Sequence, residues 1–443
     1  MPILQENNTI CNLRWGYPVV NFGQQAIRTC CKTPIRRLTP EEIAKDKENL
    51  FLNDEYTIQR RKEMFAGYKH NDCYSCWQTE AKGATSMRGI VKELDRLNFN
   101  DAYSKYLNST HAVEPTSDDA ILRSTKPFLL DIELSNLCDA KCVYCNRFFS
   151  TRWEKYEIEQ GSYTKKAQEK DKARKTEDFE KYFWSWFEEV HKSLDTVNFI
   201  GGEPLINPKY YEYLEKIYND YDVNNEKKLT INTVTNFNTP EIHFNRFMLL
   251  VNKLTGKFNF SLDVSIDATE DQFEFIREGI KWNRVKTNLI KFLDFKHQNV
   301  EIGFIITMTN LNVTDFINVL RLAVEIHQKY GVVVNLKANS VSMPNYLSPY
   351  LLTKEYARYY KEAREYLEQH LDQAPVGKFF NNVFSWQRYC GFLQDLENAI
   401  NTHLPDMPLL KEFNKWMHCH PMGHKKNEIF KDHKAYFDFC EQL

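Results

Sequence analysis

The stretch FLLDIELSNLCDAKCVYC, residues 128–145, decides how this chain is read. Its first half is a short apolar run, the pattern of a buried strand. Its second half carries Cys138, Cys142 and Cys145 at the spacing C-x3-C-x2-C. Three thiolates this close on one loop can hold three irons of a [4Fe–4S] cluster, which wants a fourth ligand. No fourth cysteine lies nearby, so one iron is left open to coordinate a small molecule. The competing readings are zinc, which usually takes two pairs of ligands, and three cysteines simply buried on a strand-to-helix turn.

The next strand candidate, TVNFIGG (196–202), ends in FIGGEP, residues 199–204. The chain has only 15 glycines, about half of average usage. An adjacent pair at a strand's C-terminal end is therefore informative. Glycines there let a ligand approach the backbone, and Glu203 can accept a bond from an ammonium group. Further strand candidates are KLTINTVTN (228–236), KFNFSLDVSID (257–267), NVEIGFIITM (299–308) and VVVNLKANS (332–340). Helical patterns lie between them, at about 175–194, 208–219, 240–254, 270–293 and 312–329. Six strands, each followed by a crossover, predict an α/β fold with a parallel sheet and right-handed connections. Residues 151–178 form a charged insertion that reads as solvated. After about 350 only amphipathic helices are predicted.

These residues carry a resemblance. The segment from about 125 to 345 resembles the radical S-adenosylmethionine (radical SAM) enzymes. The resemblance implies a partial (β/α)6 barrel in which Cys138, Cys142 and Cys145 bind a [4Fe–4S] cluster and S-adenosylmethionine (SAM) chelates its open iron. Gly201, Gly202, Glu203 and Pro204 match the motif that holds the SAM amino group. Thr235 and Asn236 resemble the turn near the SAM carboxylate. Ser265 and Asp267, ending SLDVSID, resemble a further SAM contact, as does Arg277 in FEFIREG. The implied reaction is reductive cleavage of SAM to methionine and a 5′-deoxyadenosyl radical, which abstracts hydrogen from a substrate. The cofactor carries that chemistry, and the protein positions the substrate and excludes side reactions. A flavodoxin- or ferredoxin-type electron donor is implied with it.

Eight of the 11 cysteines precede residue 146. Cys11, Cys30, Cys31 and the pair Cys73–Cys76 can supply four ligands, with one of Cys30 and Cys31 to spare. Either a closed [4Fe–4S] cluster or a zinc ion fits that set. The region resembles the twitch, or half-SPASM, auxiliary-cluster domain attached to radical SAM cores. Cys11, Gly23, Cys30, the C-x2-C pair and then Glu80, Gly83, Ser86 and Arg88 carry this likeness. Such domains usually follow the barrel, whereas here the module precedes it. The resemblance implies an auxiliary [4Fe–4S] cluster that accepts an electron. The expected organisation is a Cys-rich module over 1–110, a linker over 111–125, the core over 126–345 and a helical region over 346–443.

Composition narrows the partners. With 58 basic and 60 acidic side chains the net charge is −2, which argues against a broad nucleic-acid surface. No apolar run is long enough to span a bilayer and no secretory pattern opens the chain, so a cytoplasmic protein is expected. HCHPMGH (418–424) fits no zinc pattern and reads as a surface loop, and Cys390 and Cys440 read as buried apolar residues. The substrate is expected to be a small molecule or a peptide. The alternatives are a peptide maturase forming a crosslink or epimer, and a non-enzymatic iron–sulfur or zinc scaffold.

Overall fold

The computed structural model describes residues 9–45, 47–81, 86–92, 122–123, 126–173, 175–221, 228–295, 299–341, 343–373 and 385–443. Gly83 and most of the expected linker lie outside these residues. The strands are β1 (Val19–Asn21), β2 (Ala26–Arg28), β3 (Arg36–Arg37), β4 (Leu129–Glu133), β5 (Lys141–Cys142), β6 (Thr196–Ile200), β7 (Thr230–Thr235), β8 (Asn259–Ser265), β9 (Arg277–Glu278), β10 (Val300–Met308) and β11 (Val334–Ser340). All six strand candidates of the core are present, as β4, β6, β7, β8, β10 and β11. Helices follow each of them or its loop, and the C-terminal region is helical, so the chain is an α/β protein. It forms two compact units: Met1–Ser135 with Ile158–Gly202 and Lys209–Ile231, and Asn136–Glu157 with Glu203–Pro208 and Asn232–Leu443. The boundary falls inside β7.

In the first unit β4 pairs in parallel with β6 and with β1, and β2 runs antiparallel to both β1 and β3. Val19 faces Asp131 and Asn21 faces Glu133 across β1 and β4. The sequence reading had no strand before residue 126. Runs of two or three residues are too short to show a period of two; β1 is a strand through its pairing with β4, and β2 and β3 follow from it in turn. The helix Asp178–Val190 buries Phe179, Phe183, Trp186, Phe187 and Val190. These positions lie three or four apart, which puts them on one stripe. Phe22 and Phe51 meet Phe183 edge-on, at 4.9 and 5.6 Å.

In the second unit β10 lies between β8 and β11, all parallel. The register places Asp263, Gly303 and Asn335 in one row. Phe260, Leu262 and Val264 point to the opposite face, where Phe260 meets Phe247 of the helix Glu241–Leu254. The helical pattern predicted over 270–293 is two helices, Glu270–Ile276 and Trp282–Asp294, separated by β9. The break occurs because Arg277 and Glu278 pair antiparallel with Cys142 and Lys141 of β5.

The C-terminal helices Ala357–Glu368, Trp386–Thr402, Met407–Cys419 and Lys434–Glu441 bury Tyr360, Leu393, Phe413 and Tyr436. Cys390 and Cys440 are buried, as expected, and Cys419 is exposed. HCHPMGH is not simply a surface loop. His418 and Cys419 end a helix, and the His420 ring packs on Phe275 at 4.4 Å. Burial there pushes the His420 imidazole down to about 4. Among the described residues no helix is long and apolar enough to cross a membrane.

Candidate functional site

The cysteine loop follows β4 and is held by its own backbone. Thr151 Oγ1 donates to Cys138 O at 3.0 Å and accepts from Cys138 N. Trp153 Nε1 donates to Cys142 O at 2.9 Å. The β5–β9 pairing sets Cys142 opposite Arg277. Two N–H groups approach sulfur: Ala140 N lies 3.4 Å from Cys138 Sγ, and Arg277 Nη1 lies 3.8 Å from Cys142 Sγ. Cys142 is buried, and Cys138 and Cys145 are half-buried. Burial pushes the Cys142 thiol up to about 12 and raises Cys138 and Cys145 as well. Ligation by metal requires these thiols to lose their protons.

Arg277 is itself fixed by Asp267. Its Nε donates to Asp267 Oδ2 at 2.8 Å, and Tyr144 Oη donates to the same oxygen. Asp267 Oδ1 accepts from Thr307 N at 2.7 Å. The carboxylate is thus wholly engaged and fully buried. Ser265, two residues earlier on β8, is buried.

Glu203 is equally enclosed. Oε1 accepts from Thr235 Oγ1 at 2.6 Å and Leu205 N at 3.1 Å, and Oε2 accepts from Asn236 N at 2.7 Å. The Glu203 carboxyl is pushed up to about 7 by burial, with the nearby Asp139 adding to it. Asn236 and Asn238 each donate an amide N–H to Asp139, at 2.8 and 2.9 Å. One network therefore joins Glu203, Thr235 and Asn236 to the cysteine loop. Gly201 and Gly202 have φ of +82° and +60°. A Cβ on Gly201 would stand 3.2 Å from Glu133 Cα, so both conformation and space demand glycine there.

Asp139, Tyr144, Asn238 and Thr307 escaped the sequence reading. Asp139 and Tyr144 lie inside the cysteine motif, where attention goes to the sulfurs. The i, i+2 spacing of Asn236 and Asn238 was the one usable signal.

The N-terminal cysteines form a second set, within the first unit. Cys11, Cys30 and Cys73 belong to one buried cluster with Ile10, Leu13, Trp15 and Phe65, and Cys31 packs against it from its edge. Cys76 is buried too. Burial, and then the neighbouring Cys73 and Cys76, push the Cys11 thiol up to about 12. Arg14 Nη2 lies 3.8 Å from Cys73 Sγ and Lys32 N lies 3.4 Å from Cys30 Sγ. Ser86 and Arg88 both donate to Glu80, and the Arg88 guanidinium stands 4.2 Å from the Trp77 ring.

Among the described residues no three His, Cys, Asp or Glu side chains converge on a single ion. A four-iron cluster gives each thiolate its own iron and does not call for such convergence. Both cysteine sets suit a cluster in their chemistry: sulfur donors, partial or full burial, and N–H groups aimed at sulfur.

The model of the radical SAM superfamily matches residues 132–323. This stretch is a radical SAM domain. Its cofactors are SAM and a [4Fe–4S] cluster. No curated protein matches the chain. Among solved structures, native anSMEcpe with bound AdoMet is similar at 16% identity and a TM-score of 0.37, over 57% of this chain and 63% of that one. SuiB from Streptococcus suis, bound to S-adenosylmethionine, is similar at 13% identity and a TM-score of 0.35, over 70% of this chain and 61% of that one. The chain thus covers less than two thirds of each.

Proposed function

We propose that the chain is an enzyme that cleaves SAM reductively at a cluster held by Cys138, Cys142 and Cys145. The observation that carries this reading is the shared network. The three-cysteine loop, with its open ligand position, is tied through Asp139 to the Asn236 turn and through Cys142 to Arg277 and Asp267. A cluster held there would supply the one electron that reductive cleavage of SAM needs, and SAM would supply the hydrogen-abstracting radical. Gly201 and Gly202 open the backbone to SAM. Glu203 sets negative charge beside the SAM ammonium while bracing Thr235 and Asn236. Ser265 shares a face of β8 with Ser261 and Asp263 and would contact SAM from there. Asp267 acts through Arg277 and Tyr144, since its own oxygens are taken.

Cys11, Cys30, Cys73 and Cys76 hold an auxiliary [4Fe–4S] cluster, which would supply a one-electron acceptor. Cys30 sits inside the buried set with Cys11 and Cys73, whereas Cys31 lies at its edge, so Cys31 is the spare thiol.

The substrate is a polar small molecule or a peptide side chain. One face of β8, β10 and β11 carries Ser261, Asp263, Glu301, Asn335 and Lys337. Strands buried on both faces are usually apolar on both, so this polar face is best explained by polar ligand contacts. Lys337 Nζ reaches Asp263 at 2.6 Å, as does Asn232 Nδ2 at 2.8 Å. A Cβ on Gly303 would fall 2.2 Å from Asp263 Oδ1, so glycine makes room for that carboxylate.

The test is anaerobic reconstitution of wild type and of a Cys138→Ala/Cys142→Ala/Cys145→Ala variant, with iron counting and assay of 5′-deoxyadenosine. About eight irons should fall to about four, the content of one [4Fe–4S] cluster, and cleavage should vanish. Cleavage that survives in the variant overturns the assignment.

A further inference from the structure

Arg14 is a buried cation the reaction scheme above does not use. It sits on the short helix Leu13–Gly16, three residues beyond Cys11. Its side chain is 3% exposed. Nη1 donates to Thr29 Oγ1 at 2.9 Å, and Nη2 donates to Asp72 Oδ2 at 2.9 Å and points at Cys73 Sγ at 3.8 Å. Among the described residues Arg14 Nε has no hydrogen-bond partner. A buried guanidinium N–H without a partner is unusual and asks what else occupies its surroundings.

Both ends of the pair are immobilised. Arg61 Nε and Nη2 donate to the Arg14 carbonyl at 3.0 and 2.8 Å. Asp72 accepts from Tyr56 Oη at 2.8 Å. The guanidinium therefore cannot swing away from Cys73 without breaking several buried bonds.

The same device stands in the second unit. There Arg277 is paired with Asp267 at 2.8 Å and lies 3.8 Å from Cys142 Sγ. Two unrelated stretches of sequence thus place a buried arginine, clamped by an aspartate, against one cysteine of each set.

We propose that Arg14, positioned by Asp72, is the residue that sets the reduction potential of the auxiliary cluster, raising it so that the cluster takes up an electron. This rests on the reading that Cys11, Cys30, Cys73 and Cys76 hold a cluster. Reduction adds a negative charge to the cluster, and hydrogen bonds to ligand sulfur and local net charge set its potential. A fixed cation at the sulfur favours the more negative, reduced state, and its effect is strong because the site is dry. Asp72 orients Arg14 and at the same time offsets part of its charge.

The two residues must then act with opposite signs, which a purely structural role does not require. The experiment uses full-length protein carrying Cys138→Ala, Cys142→Ala and Cys145→Ala, so that iron reports the auxiliary site alone. Its midpoint potential is followed by electron paramagnetic resonance during stepwise reduction. Arg14→Gln should keep about four irons, the content of one cluster, and shift the midpoint to more negative values. Asp72→Asn should keep the iron and shift it to more positive values. Unchanged midpoints, or shifts in the same direction, overturn the proposal. If Arg14→Gln fails to hold iron, Asp72→Asn decides alone: a positive shift supports the role and any other result overturns it. A background protein without iron fails earlier and differently, because then the auxiliary-cluster reading itself is wrong.

Discussion

Replacing Glu203 by glutamine tests the centre of the network proposed to hold SAM. The carboxyl is fully buried and accepts three hydrogen bonds, from Thr235 Oγ1, Leu205 N and Asn236 N. Burial raises its pKa from 4.5 to about 7. The folded protein therefore holds this proton more tightly than the unfolded chain. The resulting stability is fully present below pH 4.5 and is lost as pH rises through 7. A gap of about 2.5 units, from 4.5 to about 7, corresponds to about 3 kcal/mol at ~1.4 kcal/mol per unit. The amide of Glu203→Gln does not titrate, so the variant lacks this slope. It also turns one acceptor into a donor facing an N–H or O–H, which costs about 1–3 kcal/mol. At pH 5 the wild type should be the more stable by that amount. Between pH 5 and pH 8 the difference should move by about 2.5 kcal/mol in favour of the variant, because at pH 5 the unfolded carboxyl is already partly ionised. Urea unfolding of both proteins without cofactors, at the two pH values, measures it. A stability difference that stays the same at pH 5 and pH 8 refutes the reasoning. In the proposed site the SAM ammonium meets the ionised carboxylate, so SAM affinity of the wild type should also rise over this window.

Three further outcomes follow from the geometry. Cys30→Ser should cut reconstituted iron from about eight to about four, whereas Cys31→Ser should leave it unchanged; colorimetric iron and sulfide analysis reads both. Gly201→Ala should cost about 1–2 kcal/mol from its left-handed backbone alone and more from the 3.2 Å approach to Glu133 Cα, seen as a lower urea midpoint together with slower SAM cleavage. Arg61→Met should be severe, because Arg61 is fully buried and donates to the carbonyls of Arg14, Leu52 and Leu122. Leaving those acceptors unpaired costs about 3 kcal/mol or more, and limited proteolysis should show cleavage of the N-terminal module before the rest of the chain.

Much of this was legible in the sequence. The alternation of short apolar runs with helical patterns marks β4, β6, β7, β8, β10 and β11, because each is long enough to show its period and is bounded by polar turns. Cys138, Cys142 and Cys145 stand out in the sequence because three thiols at close spacing have few structural uses. The strands β1 to β3 were not legible, since two or three residues have no period and exist as strands only through pairing with β4 and with one another. The split of the 270–293 helix was hidden for a related reason. Arg277 and Glu278 leave the helix to pair with Cys142 and Lys141, which stand more than a hundred residues away, and nothing local announces it.

The residues that organise the sites were the least legible, and the reason is physical. A cysteine draws the eye through its own chemistry, so Cys142 or Cys73 stands out wherever it occurs. A positioning residue is chosen for what it touches, and Arg277, Asp267, Arg14 and Asp72 are ordinary charged residues until the fold pairs them. Asp267 drew attention as a matched SAM contact, yet its oxygens are taken by Arg277, Tyr144 and Thr307. Its buried charge is compensated by Arg277, and the pair is held in one geometry by hydrogen bonds on both members. Such a pair adds little net stability, because desolvation cancels most of the attraction. Its value lies in holding an N–H against the Cys142 sulfur, where, in the proposed cluster site, small displacements would change how the metal behaves. The same economy explains why each arginine is clamped by an aspartate: an unclamped cation could turn to solvent, whereas a clamped one must stay at the sulfur.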